Sequence, residues 1–382
     1  MPDAPAPPAL IRVLLFAHEK PRMLSFLGEN AWTLRASHRG IHIDAGTPVQ
    51  FRCTPQGIEA QWNSNRETAS RFTLLGPGRH RLQAAGRSIL TEGTLEITGT
   101  GMALAPRLEL STAQYVLGVL HSEMSSAPPA ALEAMAVCIR SFTWRAAKHP
   151  RHRWAHTCDA THCQRYRPSG ALNPAMRRAV EQTRGQFRAW QSEPAETLWH
   201  AACGGFLSSA HEAFGHEDIP YLPAQPDKKL DGGAWCDVPS GRWKWTTKLT
   251  HEQWGQALQR AGFLRTRDTP ARLEVGSRSI GGRVLRIQWG ESVAQAITGQ
   301  TFWEMMGPTL GWNGLRSLHF RIRSTSSGWT LSGVGLGHGV GMCQAGAIER
   351  ARAGWGREAI LDAYFPGTQN ARTTRLRRGP AW

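Results

Sequence analysis

Residues 122–150 read "SEMSSAPPAALEAMAVCIRSFTWRAAKHP", and this stretch decides how the chain is divided. Ser125 or Ser126 can cap a helix here, and Pro128 and Pro129 suit a first turn, where a missing N–H costs nothing. Leu132, Met135, Ala136, Ile139 and Phe142 then recur at spacings of three and four until Pro150 stops the run. The preceding sequence has a different rhythm. From about 10 to 105, short apolar or alternating runs ("IRVLLFA", "PVQFRC", "RFTLL", "GTLEITG") are separated by glycine, proline and asparagine, which predicts a small all-β unit. Residues 1–9 are proline-rich and predict a disordered start. The change of pattern falls near "ALAPRLEL", so the boundary is drawn between 105 and 106.

Downstream the two periodicities mix. "LTHEQWGQALQRAGF" predicts a helix capped by Thr250 with Glu252 near its start. "RLEVGSRSIGGRVLRIQWG" predicts a β-hairpin turning at Gly281 and Gly282, and "CQAGAIERARAGWGREAILDAYF" a helix broken between Gly354 and Gly356. Helices and strands do not alternate strictly over 106–372. The expected fold is therefore α+β, with the β-rich accessory unit in front.

Composition narrows the function classes. The chain has 382 residues, 41% of them hydrophobic, enough for a substantial core. No run of about 18 apolar residues occurs, so no membrane span is expected. The early run "ALIRVLLFA" is interrupted by Arg12 and lacks a small-residue cleavage pattern, so it is not read as a signal peptide. A formal charge of +16 attracts polyanions, but the arginines are dispersed and form no nucleic-acid tail, which fits a solvated basic surface. Sixteen tryptophans stand against four tyrosines; such rings either fill cores or stack on sugar faces. Seven cysteines are too few for a disulfide scaffold and odd in number.

Four places could carry chemistry. Glu123 sits just upstream of the helix that Ser125 or Ser126 can cap; a carboxylate there either caps the helix or, if apolar neighbours such as Val119, Leu120 and Met124 bury it, serves as a general acid. "HRWAHTCDATHCQRY" gathers His152, His156, Cys158, His162 and Cys163, donors at the spacing of a structural zinc site. His152 is better spaced than His156, and a Cys158–Cys163 disulfide or unligated residues are the competing readings. Cys203, beside two glycines and near His200, could pair with Cys236 or act as a thiol nucleophile. Finally, "GVGLGHGVG" at 333–341 fits neither G-x-G-x-x-G nor G-x-x-x-x-G-K-[ST], so it is no phosphate loop. As an extended segment it would present a bare glycine face to a close neighbour, with His338 and then Gln344 as its polar groups.

Taken together, "YVLGVLHSEM", "ALEAMAVCIRSFTW", "CDATHCQRY", "AVEQTRGQ", "CGGFLSSAHEAFGHEDIPYL", "GLGHGVGMCQAGA" and "ILDAYFPGT" resemble, in order, the stage II sporulation protein D family, also called SpoIID/LytB, which includes amidase enhancers. The resemblance covers about 110–370 and implies peptidoglycan processing in the cell envelope. It implies a lytic transglycosylase that cuts glycan strands between N-acetylmuramic acid and N-acetylglucosamine after a partner amidase has stripped the stem peptides. Glu123 falls on the family's catalytic acid. Cys158, His162 and Cys163, with His152 upstream, fall on its metal site, and zinc is the implied ion; no organic cofactor is expected. Arg140, Gln164, Tyr166, His338 and Gln344 are the expected glycan contacts. Met135, Cys138, Leu336, Cys203 and Cys343 depart from the family's usual glutamine, alanine, tryptophan and two serines. The alternative within the resemblance is a wall-binding amidase enhancer without catalysis; a hydrolase would differ only in leaving reducing ends.

Overall fold

A computed structural model describes residue 8 and residues 10–373, except 38, 162, 168–172, 216, 238–242, 265–269, 271, 291–294 and 312. The chain forms two compact units, residues 1–196 with 369–382, and residues 197–368. The fold is α+β, as expected. The two predicted domains are not the units observed: the boundary at 105/106 falls inside the strand Ala103–Ser111, which pairs with both Leu10–Leu14 and Thr94–Thr100.

The first unit begins with the predicted all-β region. A seven-stranded sheet runs in the order Thr157–Cys158, Leu10–Leu14, Ala103–Ser111, Thr94–Thr100, Arg71–Leu75, Trp32–Ala36, Arg39–Ile43. A six-stranded sheet lies against it, and Phe51 of the second meets Phe72 of the first edge-on at 5.5 Å. Alternation explains the sandwich: along Ala103–Ser111 every second residue is buried, giving one wet and one dry face. The short strand Thr157–Cys158 joins the sheet edge in parallel with Val13 and Leu14. It thus ties the first candidate cysteine to the β region.

Helices α1 (Thr112–Met124), α2 (Pro129–Lys148) and α3 (Pro174–Gln182) complete this unit. Helix α1 was not anticipated. Its N-terminus is a capping box in which Ser111 accepts from the Gln114 amide while the Gln114 side chain receives the Ser111 N–H. Helix α2 is the predicted helix, but its cap is Pro128, without a side-chain bond from Ser125 or Ser126. Its apolar face is buried almost throughout, and Trp144 packs on Phe187 of the strand Gln186–Trp190.

The second unit holds α4 (Ala210–Phe214), α5 (His251–Arg260), α6 (Gly299–Leu310), α7 (Gln344–Arg352) and α8 (Arg357–Tyr364). Thr250 caps α5, the hairpin of Leu273–Arg278 with Val284–Trp289 forms, and the last helical run breaks into α7 and α8, all as predicted. Trp245, Trp254, Trp289 and Trp329 lie in one core with Phe302 and Phe320. For these four the tryptophan question resolves in favour of packing. Trp199–His200 pairs in parallel with Met342–Cys343, and Ala202 bridges Leu336, so residues 199–203 run beside the glycine-rich stretch.

That stretch is not the alternating strand expected of it. Gly335, Gly337, Gly339 and Gly341 all have positive φ, so the chain turns at each. The close approach is real and is made by backbone at two of them: a Cβ on Gly335 would sit 2.8 Å from the Ala202 carbonyl oxygen, and one on Gly341 closer still to the Leu198 carbonyl oxygen. No helix among the described residues is long and apolar enough to cross a membrane.

Candidate functional site

Glu123 occupies the last turn of α1 and is half-buried, rather than sitting on a turn ahead of a helix. The carbonyl end of a helix repels negative charge, the opposite of the capping environment read from sequence. Beside it, Val119, Leu120 and Met124 are buried, and the buried atoms His121 Nδ1 and Ser122 Oγ have no partner among the described residues. Buried polar atoms are normally satisfied, so these two are ready acceptors or donors for a bound hydroxyl. Sequence reasoning passed over both, because neither residue type is distinctive at this spacing.

The cysteine–histidine segment lies in the same unit. Donor atoms of His152, Cys158 and Cys163 come within 4.8 Å of one another. His152 Nε2 is 3.0 Å from Cys163 Sγ, and the Ala160 amide donates to Cys158 Sγ at 3.3 Å. The Cys158 thiol donating to Cys163, with His152 adding to it, holds Cys163 down at about 5. His156 is engaged elsewhere: its Nδ1 accepts the Arg12 amide at 3.1 Å. His162 lies outside the described residues. All seven cysteines are free thiols, including Cys158 and Cys163.

Asp159 anchors this segment to the β region. Its carboxylate accepts from the Phe16 and Ala17 amides at 2.9 and 3.2 Å and pairs with Arg87 at 3.0 Å. The hydrogen bonds explain why an acidic group can be buried there.

Three expected glycan contacts have other work. Arg140 is 2% exposed and donates to the carbonyls of Ala136 and Val180 and to the Thr183 hydroxyl, which fastens α2 to the end of α3. Gln164 is 1% exposed; its Oε1 accepts from the Tyr115 hydroxyl at 2.8 Å and its Nε2 donates to the Ile139 carbonyl at 3.2 Å. Tyr166 is buried and stacks on Tyr115, with ring centroids 5.6 Å apart. These side chains lock the cysteine-bearing segment onto α1 and α2. Their expected role as surface contacts for sugar is corrected: a long side chain buried with its polar atoms satisfied has nothing left to offer a ligand.

His338 and Gln344 belong to the second unit. His338 Nε2 donates to the Trp199 carbonyl at 2.9 Å and its Nδ1 accepts the Val340 amide at 3.1 Å. Burial, then Arg283, pushes it down to about 4, so the ring is neutral near pH 7. Gln344 opens α7. Cys203 does not suit a nucleophile: it is fully buried, and its thiol is pushed up by its bonds to Cys236 and Cys343 and by burial.

A family model described as "Stage II sporulation protein" (SpoIID) matches residues 103–190, which hold α1, α2 and the cysteine segment. An uncharacterized protein of Brachyspira hyodysenteriae is 29% identical over 262 residues, 68% of this chain and 66% of that protein. Stage II sporulation protein D of Bacillus subtilis is 27% identical over 281 residues, 67% of this chain and 73% of the relative. The amidase enhancer of Bacillus subtilis is 24% identical over 229 residues, 51% of this chain but 32% of the relative. The match to the first of these relatives thus spans just under two thirds of its length. The resemblance read from the seven segments is borne out.

Proposed function

From this likeness to the SpoIID/LytB family, we propose that the chain is a lytic transglycosylase of peptidoglycan glycan strands with Glu123 as its acid. One observation carries the reading: Glu123 stands in the matched region, half-buried at the carbonyl end of α1, beside polar atoms of His121 and Ser122 that have no partner among the described residues. Glycosidases of the usual kind place a second carboxylate across the bond. A transglycosylase manages with one. Glu123 gives its proton to the glycosidic oxygen as the C1–O bond of the muramic residue breaks. It then takes the proton of that sugar's 6-hydroxyl as the 6-oxygen closes on C1, so the acid ends as it began and no water is consumed.

Zinc fits the residues present in the first unit: an imidazole and two sulfurs are already gathered. His152, Cys158 and Cys163 would hold it, with His162 the fourth ligand. Held there, zinc would supply a closed structural site tying this segment to α1. Action on glycan implies work outside the cytoplasmic membrane. A net charge of +16 favours residence on an anionic wall.

The test is digestion of purified strands freed of stem peptides, with products read by mass spectrometry. Anhydromuramic ends are expected. Reducing ends instead would make the protein a hydrolase. The amidase-enhancer reading is favoured by the relative of that name and by the basic charge; binding to sacculi with stimulation of an added amidase and no glycan products would select it.

A further inference from the structure

The second unit gathers Cys203, Cys236, Cys343 and His200, four residues scattered across the sequence and all buried. Donor atoms of His200, Cys203 and Cys343 lie within 4.8 Å of one another, and Cys203 Sγ is 3.6 Å from Cys236 Sγ. That last separation discriminates between chemistries. A disulfide needs about 2.05 Å between sulfurs. Two sulfurs sharing a tetrahedral zinc, each about 2.3 Å from the ion, stand about 3.8 Å apart.

Each sulfur is also met by backbone. The Gly205 amide donates to Cys203 Sγ at 3.2 Å and the Gly204 amide to Cys236 Sγ at 3.3 Å. Cys343 Sγ receives the Cys203 amide at 3.3 Å and the Gly346 amide, at the start of α7, at 3.4 Å. Such amides suit thiolates, and metal binding would release the proton that Cys203 Sγ shares with Asp227 Oδ2 at 3.2 Å.

His200 is prepared in the same way. Its Nδ1 donates to the Val340 carbonyl at 3.1 Å, which fixes the tautomer and leaves Nε2 with its lone pair bare. Nε2 is buried and has no partner among the described residues. That nitrogen is available as a ligand beside the sulfurs of Cys203 and Cys343. Charge agrees: the buried Arg283 spends its guanidinium on the Cys203 and Gly337 carbonyls, at 3.0 and 3.3 Å. A zinc with three thiolates and one imidazole carries one net negative charge, which that guanidinium offsets.

We propose that Cys203, Cys236, Cys343 and His200 form a second, structural zinc site. All four positions would be filled by protein, so it closes without water and has no catalytic opening. Its effect is to clamp residues 199–205 to the glycine-rich stretch and to α7. The proposal stands independently of the glycan reading, since neither Glu123 nor any sugar enters it.

The experiment is metal analysis of the full chain, purified without added metal or chelator, in a variant whose first cluster is removed (Cys158→Ser with Cys163→Ser). One equivalent of zinc should remain, and adding Cys236→Ala should abolish it. To guard against misfolding of the triple variant, cobalt(II) is loaded into both the unaltered protein and the Cys158→Ser, Cys163→Ser variant. Sulfur-to-cobalt charge-transfer and intense tetrahedral ligand-field bands are expected to persist in the Cys158→Ser, Cys163→Ser background. Absence of metal and cobalt bands from that background, or a Cys203–Cys236 disulfide in the peptide map of the unaltered protein, would overturn the site.

Discussion

His152 and Cys163 of the first unit are 11 residues apart; Cys203 and Cys343 of the second are 140 apart. Both clusters use imidazole and sulfur. The first is assembled from one short segment on either side of the strand Thr157–Cys158, pinned by Asp159 and Gln164. The second exists only because Trp199–His200 and Met342–Cys343 run side by side, and because turning glycines let the two backbones touch. A local cluster can form as soon as its segment orders, whereas a non-local one must wait for the chain to close.

Their supports differ as well, and perturbing them should separate the two. The largest effect is expected at Asp227, whose carboxylate accepts the Cys203 thiol at 3.2 Å and pairs with Arg350 at 2.7 Å, both side chains buried. Asp227→Ala leaves that guanidinium unpaired, a loss of about 3–5 kcal/mol, and should lower the melting of the second unit while leaving the first cluster's metal content alone. Equal loss from both clusters would show that they are not separately supported.

A smaller loss, about 1–3 kcal/mol, is expected for Gln164→Ala in the first unit, since the buried Tyr115 hydroxyl loses the Gln164 oxygen, while the Ile139 carbonyl keeps the Thr143 hydroxyl. Calorimetry should register the change, with KM for glycan unmoved at temperatures where the variant is folded. A raised KM with unchanged melting would return Gln164 to the sugar-binding groups.

Acid should act on the second unit with the smallest effect. His338 and His319 are both pushed down to about 4 by burial first and Arg283 second. Their folded values lie below the unfolded value near 6.5, so the unfolded chain takes up protons first. The stability they contribute is full above pH 6.5 and is lost as the pH falls toward 4. Allowing for their partial exposure, a loss of about 1 kcal/mol between pH 7 and 5 is expected, seen as a falling melting temperature. The His338→Gln, His319→Gln double variant should flatten that slope; an unchanged slope would assign it to other groups.

The contrast also explains what could be read in advance. Five donors within a dozen residues declare a cluster, and the spacing already favoured His152 over His156, whose nitrogen turned out to be occupied by Arg12. No spacing rule reaches from His200 to Cys343, so the second cluster was visible only as single cysteines. Helix α1 was legible and overlooked: Ser111 and Gln114 form the S-x-x-Q capping signal, while the run of valine and leucine after them drew attention from it. The roles of Arg140, Gln164 and Tyr166 were lost for another reason. A polar side chain in a motif suggests ligand contact until its burial and bonding are known.

The catalytic reading rests on a single carboxyl group, and one variant tests it most directly. Glu123→Gln keeps the size of the side chain and removes the proton that the glycosidic oxygen requires. With melting unchanged from the parent, release of anhydromuramic products from peptide-free strands should fall by at least about 100-fold. Product release at the parental rate would contradict the assignment of Glu123 as the acid.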